Sequence, residues 1–188
     1  MGKLIFFMIV SADGYVADDQ GDFQWGVPNE EALQMINDQT RDIGTYLYGR
    51  RIYELMSVWE TDPSLAASPG DKEFARIWTA AEKVVYSTTL TEVGTSRTRL
   101  EREFIPEEVQ GLKDGSSADL TIEGPTLAGH AIRHSLVDEV HMMISPVVLG
   151  GGLRMLPELR LDLELLDERR FSNGMLYLQY RVKLPTQP

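Results

Sequence analysis

Apolar positions along this chain follow two rhythms. Leu4 to Val10 is an unbroken apolar run, rich in aromatic and branched residues, as expected of a central strand covered on both faces. Shorter runs recur at residues 45–48, 83–86 and 119–122, each followed by Gly or Ser and then by a helical pattern. Repeated strand, turn and helix predict an α/β sheet. Between these runs, residues 29–41 predict a helix with Leu33, Ile36 and Thr40 on one side. Phe74, Ile77, Trp78 and Ala81 make the i, i+3, i+4, i+7 stripe of a second helix. A third runs from Pro125 to about His134 with Leu127, Ala131 and Ile132 as its packing side. Pro125 suits the first helical position because its fixed φ matches the helix.

The C-terminal third changes to strict alternation: Val140, Met142 and Ile144, then Leu161, Leu163 and Leu165 among acids, then Leu176, Leu178, Tyr180 and Val182. Ser172-Asn173-Gly174 lies between the last two runs. Asn-Gly accepts the positive φ of a tight hairpin turn. The expected architecture is therefore a central, mostly parallel sheet flanked by helices and ending in an antiparallel hairpin. Residues 57–70 and 91–98, rich in Ser, Thr, Pro and Gly, are expected to be surface loops.

Composition narrows the possibilities. The chain has 188 residues, 43% of them hydrophobic, enough for one domain over residues 1–188 with a substantial core. Its net charge of -11 argues against nucleic acid or an anionic membrane as a partner, since phosphates would be repelled over most of the surface. An anionic ligand therefore needs a local basic patch. Cysteine is absent, which excludes disulfides, thiolate metal sites and cysteine nucleophiles. No apolar run reaches the roughly 20 residues of a membrane span, and a cytoplasmic protein is expected.

Four predicted strand ends carry residues suited to a phosphate-rich ligand. Carboxyl ends of parallel strands are where such sheets bind ligands. Gly49-Arg50-Arg51 offers a close backbone approach and two guanidinium groups, or simply a basic pair on an exposed turn. Ser87-Thr88 offers hydroxyls for a phosphate, or a turn cap. Gly124-Pro125-Thr126-Leu127 opens a helix whose free amides face an anion. Ser11 to Ala17, small and flexible, can floor a flat ring or form a plain loop. His130 and His134 are four apart, but no acid of an H-E-x-x-H motif lies between them, so no metal site is expected.

The order of these pieces resembles the dihydrofolate reductase-like superfamily, most closely the reductase domain of riboflavin biosynthesis and its stand-alone relatives. The matching pieces are residues 11–17, 49–54, 86–88, 124–128, 136–139 and 146–152, in family order across most of the chain. The resemblance implies an NADPH-dependent reductase of a small heterocyclic substrate, the pathway's pyrimidine ribosylamino phosphate being the reference. It assigns the adenosine 2′-phosphate and diphosphate to Gly49, Arg50, Arg51, Ser87 and Thr88. Gly124, Pro125, Thr126 and Leu127 are assigned to the diphosphate through backbone amides, and Ala17 to the nicotinamide side. It also implies homodimers.

Against the dihydrofolate reductase pattern, Glu123 replaces a glycine and puts a carboxylate near the phosphates, and Ile52 replaces a hydroxyl residue. For the proton that accompanies hydride transfer, two acids stand out. Glu30 closes a Trp25-x-x-Pro28-x-acid stretch like that of dihydrofolate reductase, and Asp13 precedes Gly14 in the first strand's exit. Each has a plainer role, Glu30 as a helix-start charge and Asp13 as an Asx turn. Arg154 is the one cation available for a second phosphate. Folate reduction and a non-catalytic nucleotide-binding protein are the alternative functions.

Overall fold

The computed structural model describes residues 1–183. The first apolar run forms β1 (Leu4–Ser11), whose side chains alternate between two cores. Leu4, Phe6 and Val10 enter one, Ile5, Phe7 and Ile9 the other. A short strand, β2 (Tyr15–Ala17), leaves it, and a loop leads to α1 (Glu30–Thr40), capped by the Asn29 side chain on the Ala32 amide. The chain then builds β3 (Ile43–Gly49), α2 (Arg50–Met56), α3 (Val58–Thr61), α4 (Pro69–Ala80) and β4 (Glu82–Tyr86). β5 (Thr98–Glu101), α5 (Pro106–Gly115), β6 (Asp119–Glu123), α6 (Pro125–Arg133) and β7 (Glu139–Ser145) follow. The last strands are β8 (Leu153–Arg154), β9 (Asp162–Arg170) and β10 (Leu176–Lys183).

One eight-stranded sheet, ordered β5-β4-β3-β6-β1-β7-β10-β9, carries the fold. Every neighbouring pair from β5 to β7 is parallel, and β10 and β9 close the sheet antiparallel. The anticipated mostly parallel sheet with a C-terminal hairpin is therefore present. α5 and α6 cover one face through Val109, Leu127, Ala128, Ala131 and Ile132. α1 and α4 cover the other through Ala32, Met35, Ile36, Phe74 and Trp78.

The structure departs from the sequence reading in several places. The segment 57–70 is largely helical: Ser68 and Asp71 form a reciprocal capping box that starts α4 at Pro69. β4 leads through a loop to the parallel strand β5, which begins inside the supposed 91–98 loop. α5 buries only Val109 and Lys113, too few positions for a periodic signal. β7 lies inside the sheet between β1 and β10, and core side chains pack on both of its faces, Val140 in one cluster and the wholly buried Met143 in the other. In the hairpin a register shift at Gln179/Tyr180 breaks the alternation. Tyr177 is buried, whereas Leu165 is 49% and Leu176 41% exposed. Among the described residues no helix is long and apolar enough to cross a membrane.

Candidate active site

Because β3, β4, β6, β1 and β7 are parallel, their carboxyl ends share one edge of the sheet. The register aligns Gly49 with Tyr86, Tyr48 with Glu123, and Ser11 with Ser145. Arg50, Ser87 and Gly124, distant in sequence, therefore follow three neighbouring strand ends. α6 opens at this edge with Gly124 at φ 97°, a left-handed value that favours glycine. No side chain caps its first turn, leaving the amides of Thr126 and Leu127 to face an anion. A Cβ on Gly124 would lie 3.1 Å from Ile52 Cγ1. Ile52 thus packs against the turn where a hydroxyl residue was expected to meet phosphate.

At β3's end Arg51 is exposed, and Arg50 lies 3.9 Å from Glu54. Ser87 serves as a turn cap: its hydroxyl accepts from the Thr89 and Leu90 amides at 3.2 and 2.9 Å. Thr88 is the hydroxyl left facing solvent. Sequence reasoning missed Arg102, which follows β5 and donates to the Ser87 and Leu90 carbonyls. It also missed a row of rings beside α6. Tyr86 and Phe104 lie 5.4 Å apart, and Phe104 and His130 6.2 Å. These residues are scattered in sequence and no local motif marks them.

The candidate acids behave differently from one another. Asp13 accepts from the Ser11 hydroxyl at 2.7 Å and from the Leu149 and Gly150 amides at 3.1 and 2.7 Å. The Ser11 hydroxyl first, then the Gly150 and Leu149 amides, hold its carboxyl down at about 2. Asp13 is therefore ionised at neutral pH and clamps the loop after β7 to the exit of β1; it has no proton to give. Glu30 is exposed at the first position of α1, the arrangement that stabilises a helix start. Its neighbour Glu31 accepts from the Ser172 amide and hydroxyl at 3.0 and 2.9 Å, tying α1 to the C-terminal hairpin turn. Ala17 lies on β2, in a ribbon with Leu153 of β8, and Arg154 stacks its guanidinium 5.0 Å over the Tyr15 ring.

Glu123 is the acid whose role the sequence obscured. It ends β6 on the same face as Tyr48. Among the described residues no hydrogen bond or ion pair reaches its carboxyl; desolvation by the surrounding core pushes it up to about 8. Near neutral pH it is mostly protonated and brings little negative charge to this end of β6. Among the described residues no group of three or more His, Asp or Glu is gathered for a metal ion.

Sheet order, the helices on both faces and the antiparallel C-terminal strands together define the class: an α/β domain of the dihydrofolate reductase-like type. A family model, the RibD C-terminal domain, matches residues 2–177. The chain belongs to that family. It is 28% identical over 184 residues to the uncharacterized protein YyaP of Bacillus subtilis (strain 168), covering 95% of this chain and 94% of that one. A Shewanella sp. PV-4 protein, described as a candidate riboflavin biosynthesis protein, superposes with a TM-score of 0.71 at 22% identity, covering 97% and 99%. The Thermotoga maritima diaminohydroxyphosphoribosylaminopyrimidine deaminase/5-amino-6-(5-phosphoribosylamino)uracil reductase gives 0.66 at 15% identity. There 97% of this chain matches 57% of the bifunctional protein. At such identities the two structures speak for the fold.

Proposed function

We propose that this chain is an NADPH-dependent reductase of a small heterocyclic substrate, of the riboflavin-pathway type. The observation that carries the reading is the meeting of Arg50 and Arg51, Thr88, and the uncapped start of α6 at three adjacent strand ends. That donor set fits a phosphorylated dinucleotide: guanidinium groups for phosphate, free amides and a glycine turn for the diphosphate. Tyr86, Phe104 and His130 add aromatic surface beside it. Ser87 contributes by holding the turn that presents Thr88. When bound, NADPH would supply the hydride.

The remaining chemistry falls to side chains. A carbonyl or imine accepting hydride also needs a proton, and a carboxyl that keeps one near neutral pH is the suitable donor. Glu123 meets that requirement at the cradle's edge, Asp13 does not, and Glu30 stands as the second acid on the rim. Folate reduction, which drew on Glu30, loses support because that residue is an exposed helix-start charge. Exposed Leu165 and Leu176 on the terminal hairpin support pairing of two copies, which light scattering tests directly.

Calorimetric titration with NADPH and NADH decides the cofactor. NADPH is expected to bind about tenfold or more tightly than NADH, with Arg51→Ala erasing most of the difference. Binding of neither nucleotide would overturn the reading and favour a non-catalytic role.

A further inference from the structure

α6 meets the ligand-receptive edge with one end only. Its other end, at Arg133, borders a cavity of about 420 Å³ at the opposite edge of the sheet. Three stretches enclose it: the turn from α6 into β7, the residues that enter β9, and the end of β10. The Ser135 amide bonds to the Ile132 carbonyl and the Leu136 amide to the Ala131 carbonyl, a paired closure that ends a helix through one left-handed residue. Ser135 takes that conformation at φ 56°, in a place that favours glycine. On the other wall Pro157 packs beside α6, 3.9 Å from where a Cβ on Gly129 would stand. The chain then passes along the cavity through Leu159, Arg160 and Leu161 to β9.

Floor and rim of this cavity differ in character. Ile132 and Val137 are buried, Leu161 and Val182 half-buried, and Leu159 is 39% exposed, which makes the floor apolar. The rim carries Arg133, Arg160 and Lys183, all exposed, against one carboxylate, Asp162. Among the described residues that line the cavity, cations therefore outnumber acids three to one, whereas the whole chain has 18 lysines and arginines against 29 aspartates and glutamates. Asp162 accepts from Arg160 at 3.0 Å and pairs with Lys183 across the hairpin, so it offsets part of that charge. Arg133 donates one guanidinium N–H to the Gly129 carbonyl at 3.1 Å, which leaves the rest of the fork for a ligand. Of the acids nearby, Asp138 is held by Lys113 at 2.8 Å, and Glu158 is exposed outside the lining.

We propose that this cavity is a ligand site separate from the cradle, taking a small organic carboxylate with an apolar body. Its volume falls in the range of small-molecule sites, which combine an apolar lining with a few polar groups that fix orientation. An aliphatic chain or flat ring covers Leu159 and the floor, removing exposed apolar surface from water. The carboxylate accepts from the Arg133 guanidinium and the Lys183 ammonium, and Ser135 adds a hydroxyl donor. One negative charge matches the rim better than two, because Asp162 and the carboxyl end of α6 both oppose an anion. The site does not depend on the reductase reading, since it shares no residue with the cradle.

The test uses the full chain and a matched pair of probes, octanoate and 1-octanol, titrated by calorimetry with and without excess NADP⁺. Octanoate is expected to bind about tenfold or more tightly than the alcohol, and equally well in both conditions. The doubly substituted Arg133→Gln/Lys183→Gln chain should lose most of that preference while its urea-unfolding midpoint stays in place. Displacement of octanoate by NADP⁺ would put the probe in the cradle and overturn the proposal. Binding of neither probe, equal binding of both, or an unchanged preference in the double variant would overturn it too.

Discussion

Glu123 and Glu139 mark opposite ends of one sheet and show how neighbours decide what a glutamate is. Glu123, at the carboxyl end of β6, has no cation or hydrogen-bond donor on its carboxyl among the described residues, and desolvation raises it to about 8. Glu139, at the start of β7, is 4% exposed. Burial pushes its carboxyl up as well, but hydrogen bonds from His141, Lys3 and Gln179, and the Lys3 charge, outweigh this and hold it at about 2. The distances are 3.0, 3.0 and 2.8 Å, and Tyr177 meets the other nitrogen of His141 at 3.0 Å. One end of the sheet keeps a proton available; the other locks β1, β7 and β10 together.

The largest effect that would break this contrast is on turnover. Glu123→Gln is expected to reduce the rate of reduction about a hundredfold while leaving NADPH affinity nearly unchanged. Steady-state kinetics and calorimetry on the same preparation check both. The substitution also acts on stability with a definite sign. A carboxyl raised in the folded state contributes stability fully below its ordinary value of 4.5, and loses it as pH rises through about 8. The amide should flatten that decline in a urea-unfolding series across pH.

Glu139→Gln should leave chemistry at the far edge intact but cost about 3 kcal/mol in stability, because Lys3 and His141 lose a buried anionic partner. Its pH dependence runs opposite to that of Glu123. Stability from a depressed carboxyl is present above 4.5 and lost as pH falls through about 2, so the variant should lose the acid limb of the stability curve. The smallest effect belongs to Asp13→Asn. If Asp13 clamps the loop after β7, its amide should lower turnover modestly and leave the pH profile of turnover in place. A displaced profile would return Asp13 to the role of proton donor.

Much of the scaffold was legible in the chain. Leu4 to Val10 reads as a doubly covered strand and is one; Pro125 opens α6; Ser172-Asn173-Gly174 makes the hairpin turn, with Gly174 at φ 87°. Short-range chemistry governs these features, so a local window suffices. α5 escaped because two buried positions make no stripe, and the alternation of β7 misled because both of its faces pack into core, Val140 on one and Met143 on the other. The candidate site was half legible. Gly49, Arg50 and Gly124 stand together as their motif order implied, whereas Ser87 proved a cap, and Arg102 and the Tyr86–Phe104–His130 row had no local signature.

Turn types and the repeated strand, turn and helix rhythm follow from residue order alone, because each depends on neighbours a few positions away. The protonation of Glu123 and the clamp made by Asp13 required the folded chain. Desolvation and Coulomb interaction depend on distance in space, and folding sets Tyr48 beside Glu123 and Gly150 beside Asp13 across long stretches of sequence.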